Sequence, residues 1–238
     1  MRTLIVYAHP EPTSFAGAMR DAAVSTLEAA GHEVVVSDLY AEGFNPVAGR
    51  HDFTTVADPE RFHYQTEQAH ASAERGYTPE LAREQRRVER AAVIILVFPL
   101  WWGGVPAILK GWFERVLAYG FAYEDSMRYD TGFFRGRSGL MGIVTGGTRE
   151  RFSERGTYGA IEQVLWPTQH CMVEYLGLNT MEPFVAYAAP RVSMQQRREY
   201  LHQWRQRVLE CLDGANTPGG EPPALKTARP ATTWSSEE

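Results

Sequence analysis

Cysteine is scarce: Cys171 and Cys211 are the only two in 238 residues. No CxxC pair or Cys/His ligand spacing surrounds them, which argues against a disulfide scaffold and against a zinc site. Both read as small buried thiols. No apolar run approaches the roughly 20 residues of a membrane span. Met1-Arg2-Thr3 leads straight into a strand pattern and not into a secretion signal, so a cytoplasmic location is the default expectation. Positive charge is also lacking. A formal net charge of −5 offers nothing to a nucleic acid or to an anionic membrane surface. No internal repeat is present. What remains, with 44% hydrophobic and 22% charged residues, is the composition of a globular protein whose length suits one large α/β domain.

The stretch around which the chain is organised runs from Phe98 to Phe113 (FPLWWGGVPAILKGWF). It begins as the end of an apolar run, Ala92 to Phe98, suited to a strand buried on both faces. It passes through a turn of two tryptophans and two glycines, then restarts at Val105-Pro106 as a helix, with proline in the first turn where its missing N–H is harmless. Open α/β sheets bind ligands beyond the carboxyl ends of their strands. Trp101 and Trp102 offer flat apolar area there, and Gly103 and Gly104 let backbone come close to something planar. The same rings could instead cap the core, which aromatic residues often do.

Upstream, Thr3 to Ala8 (TLIVYA) reads as a first, central strand, and an amphipathic helix follows to about Ala30, with Met19, Ala22, Ala23, Leu27 and Ala30 near one face. Thr13 and Ser14 are N-cap candidates in the first βα turn, where hydroxyls and free N–H groups make an anion site or serve as ordinary caps. Glu33 to Asp38 is a second strand. Leu39 to Thr78 has no strong period and is expected as a long excursion with short helical pieces. A helix then runs from Pro79 to Ala91, with Leu81, Gln85 and Val88 inward. After the central stretch, Ala118 to Arg135 is an aromatic insert of the kind found over a ligand or in a subunit interface. Ser138 to Thr145 forms a fourth strand ending in a second glycine turn, Gly146-Gly147. A helix from about Thr157 to Tyr175 should break at Trp166-Pro167. Asn179 to Tyr187 gives a fifth strand and Ser193 to Leu212 a last helix. From Asp213 the chain is a Pro/Gly/Ser/Thr-rich tail. The expected organisation is therefore one domain over residues 1–212 and a tail over 213–238.

Five strands alternating with helices make a doubly wound parallel sheet, α/β in class, with the order 2-1-3-4-5 and a switch point between the first and third strands. The Thr13-Ser14, Trp101-Trp102 and Gly146-Gly147 loops would line one edge of it. An anion cradle, aromatic walls and glycine backbone side by side suit a flavin.

At this point the residues resemble a known family, the FAD-containing NAD(P)H:quinone reductases of flavodoxin-like fold and DT-diaphorase type. The resemblance rests on Ala8-His9-Pro10-Glu11 with Thr13-Ser14-Phe15, on Ser37-Asp38-Leu39-Tyr40 with Phe44-Asn45-Pro46, on Phe98-Pro99-Leu100 and Gly104 through Arg115, on Thr145-Gly146-Gly147, and on Leu165-Trp166-Pro167. It spans about residues 3 to 212. It implies that His9, Thr13, Ser14 and Phe15 hold the pyrophosphate and adenosine side of FAD, and that Arg197 reaches the adenine. It also implies that Pro99, Leu100, Trp101, Trp102, Gly103, Thr145, Gly146, Gly147 and Phe152 lie along the isoalloxazine. A homodimer with shared active sites is implied too, in which Tyr123 closes the other subunit's pocket. Trp102, Gly103, Tyr123, Asp125, Arg128, Tyr158 and Tyr175 would line the acceptor pocket. Tyr158 and the backbone of Gly146 and Gly147 would be the catalytic groups, with no metal.

The chain departs from the family at several of these positions. Where the family has a tyrosine and a histidine that stabilise charge on reduced flavin, this chain has Phe152 and Tyr158. A phenyl ring cannot hydrogen-bond, and a phenol with a pKa near 10 is a poor relay beside a histidine near 6.5. Gly103 replaces a bulky aromatic and Asp125 a tyrosine, changes that widen or polarise the pocket. Ala16 replaces an asparagine of the phosphate loop. The expected reaction is ping-pong two-electron reduction of a quinone by NAD(P)H, the acceptor being bulkier than benzoquinone. Reduction of nitro or azo aromatics, a flavin-binding ancillary subunit, and FMN in place of FAD are the alternatives.

Overall fold

The computed structural model describes residues 1–215. All but the first three residues of the expected tail lie outside the described residues. Three strands form the centre: β1 (Arg2–Tyr7), β3 (Val93–Pro99) and β4 (Ser138–Val144), all in parallel register. β2 (Glu33–Asp38) lies outside β1. The order β2-β1-β3-β4, with the last strand beyond β4, is the one expected. The fifth strand comes in two pieces, β5 (Asn179–Thr180) and β6 (Phe184–Ala186), each pairing with β4. Pro183, which has no N–H for a ladder bond, lies in the gap between them.

The uninterrupted apolar run of β3 makes sense from its position, since all seven of its residues are buried. Leu4, Val6, Ile94, Leu96 and Phe98 face one core, while Ile5, Tyr7, Val93, Ile95 and Val97 face the other. α1 (Phe15–Ala29) and α6 (Met194–Asp213) cover the second core, where the Trp204 indole N–H donates to the Met19 carbonyl at 2.8 Å. α2 (Tyr64–Glu74), α3 (Pro79–Glu89), α4 (Ala107–Val116) and α5 (Ile161–Thr168) contribute to the first.

Four expectations need correction. Ala30 is exposed: it lies past the last helical turn, as the C-cap of α1. Cys171 is exposed as well, whereas Cys211 is buried. Pro106 caps α4 and does not open it. The break at Pro167 falls a residue later than expected. Proline sits inside α5, and the ladder that it interrupts loosens into a five-residue π turn, Gln169–Val173, followed by a 3-10 turn, Glu174–Leu176.

The excursion between β2 and α3 is held by buried charge that no periodicity announces. Asp52 is fully buried and accepts from Arg115 Nε and Nη2 at 2.9 and 2.6 Å, from the Tyr64 hydroxyl at 2.6 Å and from the Gly49 N–H at 3.2 Å. Arg115 also donates to Glu80 and to the Asn45 carbonyl. The wide apolar stripe of α4 finds its cover here.

Candidate active site

In a parallel sheet with α-helical returns, the loops leaving β1, β3 and β4 gather at one edge. The first is shaped by Ser14. Its hydroxyl caps α1 by accepting from the Gly17 N–H at 3.1 Å and lies 3.3 Å from the Tyr7 hydroxyl. The N–H groups of Phe15 and Ala16 have no acceptor within the helix, and together with the helix dipole they favour an anion. The neighbouring donors are engaged: the Glu11 carboxylate takes both the N–H and the hydroxyl of Thr13, at 2.9 and 2.6 Å. Those two bonds hold Glu11 below the usual carboxylate range. His9 Nδ1 accepts from the Glu11 N–H at 3.0 Å, and burial lowers the pKa of the ring, favouring its neutral form. Phe15 packs edge-on against Tyr200 of α6.

The second loop is a tight turn. Trp101 and Gly104 exchange backbone hydrogen bonds at 3.1 and 3.0 Å, and both central residues have positive φ, 52° at Trp102 and 72° at Gly103. That is the pattern of a type I′ turn, which glycine accepts easily and tryptophan rarely. Trp102 is 106% exposed and Trp101 41%, so the turn presents the rings outward and does not cap the core. Gly103 is therefore a backbone requirement of the turn. Leu100 ties this turn to the next, its N–H donating to the Val144 carbonyl at 2.9 Å, and Pro99 pairs with Val144 in the ladder.

In the third loop the two glycines differ. A Cβ on Gly147 would meet the Phe152 ring at 2.7 Å and Tyr158 at 3.0 Å, while a Cβ on Gly146 would meet nothing within 4 Å among the described residues. Phe152 and Tyr158 pack on each other at 4.9 Å, and Tyr158 remains 49% exposed. Thr145 fixes the turn by donating its hydroxyl to the Gly147 carbonyl at 2.8 Å. Arg191, which sequence reasoning missed, donates to the Gly146 carbonyl. It is brought there by the return of β6 beside β4, which no local pattern signals. Arg197 is engaged nearby, donating to the carbonyls of Ala189 and Pro190 at 3.0 Å each.

The remaining pocket candidates stand elsewhere. α4 returns the chain to the amino edge of the sheet, so Tyr123, Asp125 and Arg128 lie there, and Tyr175 lies just before β5, whose Asn179 pairs with the first residue of β4. Tyr123 and Tyr175 pack at 5.6 Å, and a cavity of about 630 Å³ beside them is also lined by Tyr64, Gln68 and Phe113. Burial raises the pKa of both tyrosines. The seven residues of β3 put about 20 Å between the two edges. Within one chain, the Trp102 group and the Tyr123 group do not meet.

A family model described as Flavodoxin-like fold matches residues 1–208. NAD(P)H dehydrogenase [quinone] 1 of Cavia porcellus is 43% identical over 213 residues, covering 89% of this chain and 78% of that protein. Ribosyldihydronicotinamide dehydrogenase [quinone] of Pongo abelii is 40% identical, over 87% of this chain and 90% of its own length. Among solved structures, a protein of Klebsiella pneumoniae described as a quinone reductase superposes with a TM-score of 0.85 at 36% identity, covering 89% of this chain and 85% of that one.

Proposed function

The chain belongs to the flavodoxin-like family of NAD(P)H:quinone reductases, and from that premise we propose that it reduces quinones with NAD(P)H, two electrons at a time, on a bound flavin. The observation that carries this reading is the edge where β1, β3 and β4 end. There a helix N-terminus, an uncovered indole at Trp102 and open space at Gly146 lie side by side. Those features fit a phosphate-bearing planar cofactor. A flavin there would supply the hydride acceptor and then the two-electron donor.

The chain's own residues bind, orient and exclude water. Ser14 and the first turn of α1 receive phosphate, and Thr13 does so by exchanging the Glu11 carboxylate for the ligand. The Trp102 indole supplies a stacking face. Gly146 admits a ring against its backbone, and Gly147 lets Phe152 and Tyr158 close in behind it. Proton and charge handling falls to the Tyr158 hydroxyl and to backbone N–H groups, because Phe152 has no polar atom. Orientation is thus retained while acid–base assistance is reduced. Open space around Gly103 supports acceptors larger than benzoquinone.

Three finer points belong to the same reading. The cofactor is FAD, as the resemblance to the FAD-containing quinone reductases implies, with Arg197 beside the adenine end while it donates to the Ala189 and Pro190 carbonyls. The protein is a homodimer: Tyr123 and Tyr175, at the far edge of the sheet, can wall the pocket only from another copy. It works in the cytoplasm, where NAD(P)H is available. An absorption spectrum of the purified protein, followed by anaerobic NADPH and then a quinone, tests the function. A yellow protein that bleaches and is re-oxidised is expected. A colourless protein that takes up neither FAD nor FMN would overturn it, and a flavin-loaded protein that turns over no soluble acceptor would favour the flavin-binding ancillary role.

A further inference from the structure

Arg128 brings a charge to the aromatic group at the amino edge of the sheet. Its guanidinium carbon lies 5.6 Å from the centre of the Tyr175 ring, which packs edge-on against Tyr123 at 5.6 Å and Tyr129 at 5.4 Å. One terminal nitrogen, Nη2, donates to Asp125 Oδ1 at 3.1 Å. Nε is buried and has no hydrogen-bond partner among the described residues. These two groups are not equivalent. Asp125 is 81% exposed, so its pairing with Arg128 is screened by water and easily exchanged. Nε is closed to water and so to a ligand, but the Arg128 side chain as a whole is 40% exposed, and the donors open to a ligand are its terminal ones.

The two terminal nitrogens of a guanidinium offer parallel N–H donors, a fork that matches the two oxygens of an oxyanion. Here the fork stands over the Tyr175 ring, and the Tyr123 and Tyr129 rings packed on it extend an aromatic surface suited to a flat aromatic body. The protein's net charge of −5 would by itself repel an anion, so a preference for one must be local.

We propose that Arg128, contributed by one subunit to the site of the other, selects planar aromatic acceptors that carry an anionic substituent such as a sulfonate or carboxylate. The fork binds the oxyanion, displacing Asp125, while the aromatic body lies against Tyr175 and Tyr123. This rests on the quinone-reductase reading and on the two-chain site, and it adds the class of acceptor.

The test compares 1,4-naphthoquinone with its 2-sulfonate on the holoenzyme, in the parent protein, Arg128→Gln and Arg135→Gln. Arg135 is an exposed guanidinium of the same insert that, among the described residues, donates only to the Asp130 carbonyl. Arg128→Gln should lower kcat/KM for the sulfonate about tenfold and leave the neutral quinone within about twofold, as expected for loss of a charge-assisted hydrogen bond. Arg135→Gln should leave the ratio of the two unchanged. Calorimetric binding of naphthalene-2-sulfonate, which is not reduced, should weaken in parallel in Arg128→Gln. Equal losses with both quinones, or the same loss in Arg135→Gln, would overturn the inference. If the holoenzyme reduces neither quinone, the functional reading fails, and the calorimetry still decides whether Arg128 holds the sulfonate.

Discussion

Gly146 and Gly147 are adjacent in the chain, yet alanine should act on them in opposite ways. At Gly146 the added Cβ meets no atom of the described residues within 4 Å, and the residue does not have the positive φ that favours glycine. Alanine there restricts the unfolded chain without disturbing the folded one, a gain of about 0.4–1 kcal/mol. For a chain of this size that raises the melting temperature by about 1–4 °C. At Gly147 the Cβ would stand 2.7 Å from the Phe152 ring, well inside contact distance. Overpacking of that kind costs about 1–3 kcal/mol. Cofactor binding should discriminate differently. If the space at Gly146 is occupied by the flavin ring, Gly146→Ala weakens flavin affinity by about tenfold or more, equivalent to ~1.4 kcal/mol. The assay is thermal unfolding of the flavin-stripped protein together with a fluorescence titration of flavin for each variant. Gly146→Ala should be the more stable apoprotein and the poorer flavin binder. A destabilised Gly146→Ala apoprotein, or one that binds flavin as tightly as the parent, would refute the reasoning.

Other perturbations probe separate parts of the molecule. Asp52→Ala strands the buried Arg115 guanidinium and should cost about 3–5 kcal/mol, read as a lower urea midpoint; a loss under about 1 kcal/mol would mean that the pair does not hold the excursion. Trp102→Ala removes a fully exposed ring, so stability should stay within about 0.5 kcal/mol of the parent while flavin or substrate affinity falls. At Glu174, burial pushes the carboxyl up, but hydrogen bonds from His170, Thr180 and Gln169 outweigh it, and its folded pKa ends below the usual value. The unfolded chain therefore takes up the proton first. The stabilisation is present above the ordinary glutamate range and is lost as pH falls through the folded pKa, so Glu174→Gln should flatten the acid limb of urea midpoint against pH. Burial pushes the Cys211 thiol up to about 12, so a thiol reagent at neutral pH should label it only on unfolding.

Much of the fold was legible because β1, β2, β3 and β4 carry apolar runs that only a covered parallel sheet explains. β2 matches its expected bounds, and the strand order follows from the alternation with helices. The split of the last strand was less legible, because strand pieces of two and three residues on either side of a proline carry little period. Ser14 could be read as a helix cap because capping is a local matter of one hydroxyl and the N–H groups that follow it. The exposure of Trp102 could not be read that way. The same WWGG letters serve for rings turned inward, and only the hydrogen bonds between Trp101 and Gly104 turn them out.

What the amino-acid sequence determined by itself is whatever depends on neighbours in the chain: strand and helix periods, the cap at Ser14, the motifs shared with the quinone reductases. The tertiary structure decided everything that joins distant segments. It put Asp52 on Arg115 and Arg191 on Gly146. It gave Gly147 to Phe152 while leaving Gly146 open, and it carried Tyr123 and Tyr175 to the edge opposite Trp102. The physical reason is range. Backbone propensity acts within one helical turn or one strand pair, whereas buried charge pairing and close packing act between whichever residues the returning chain brings within a few ångströms.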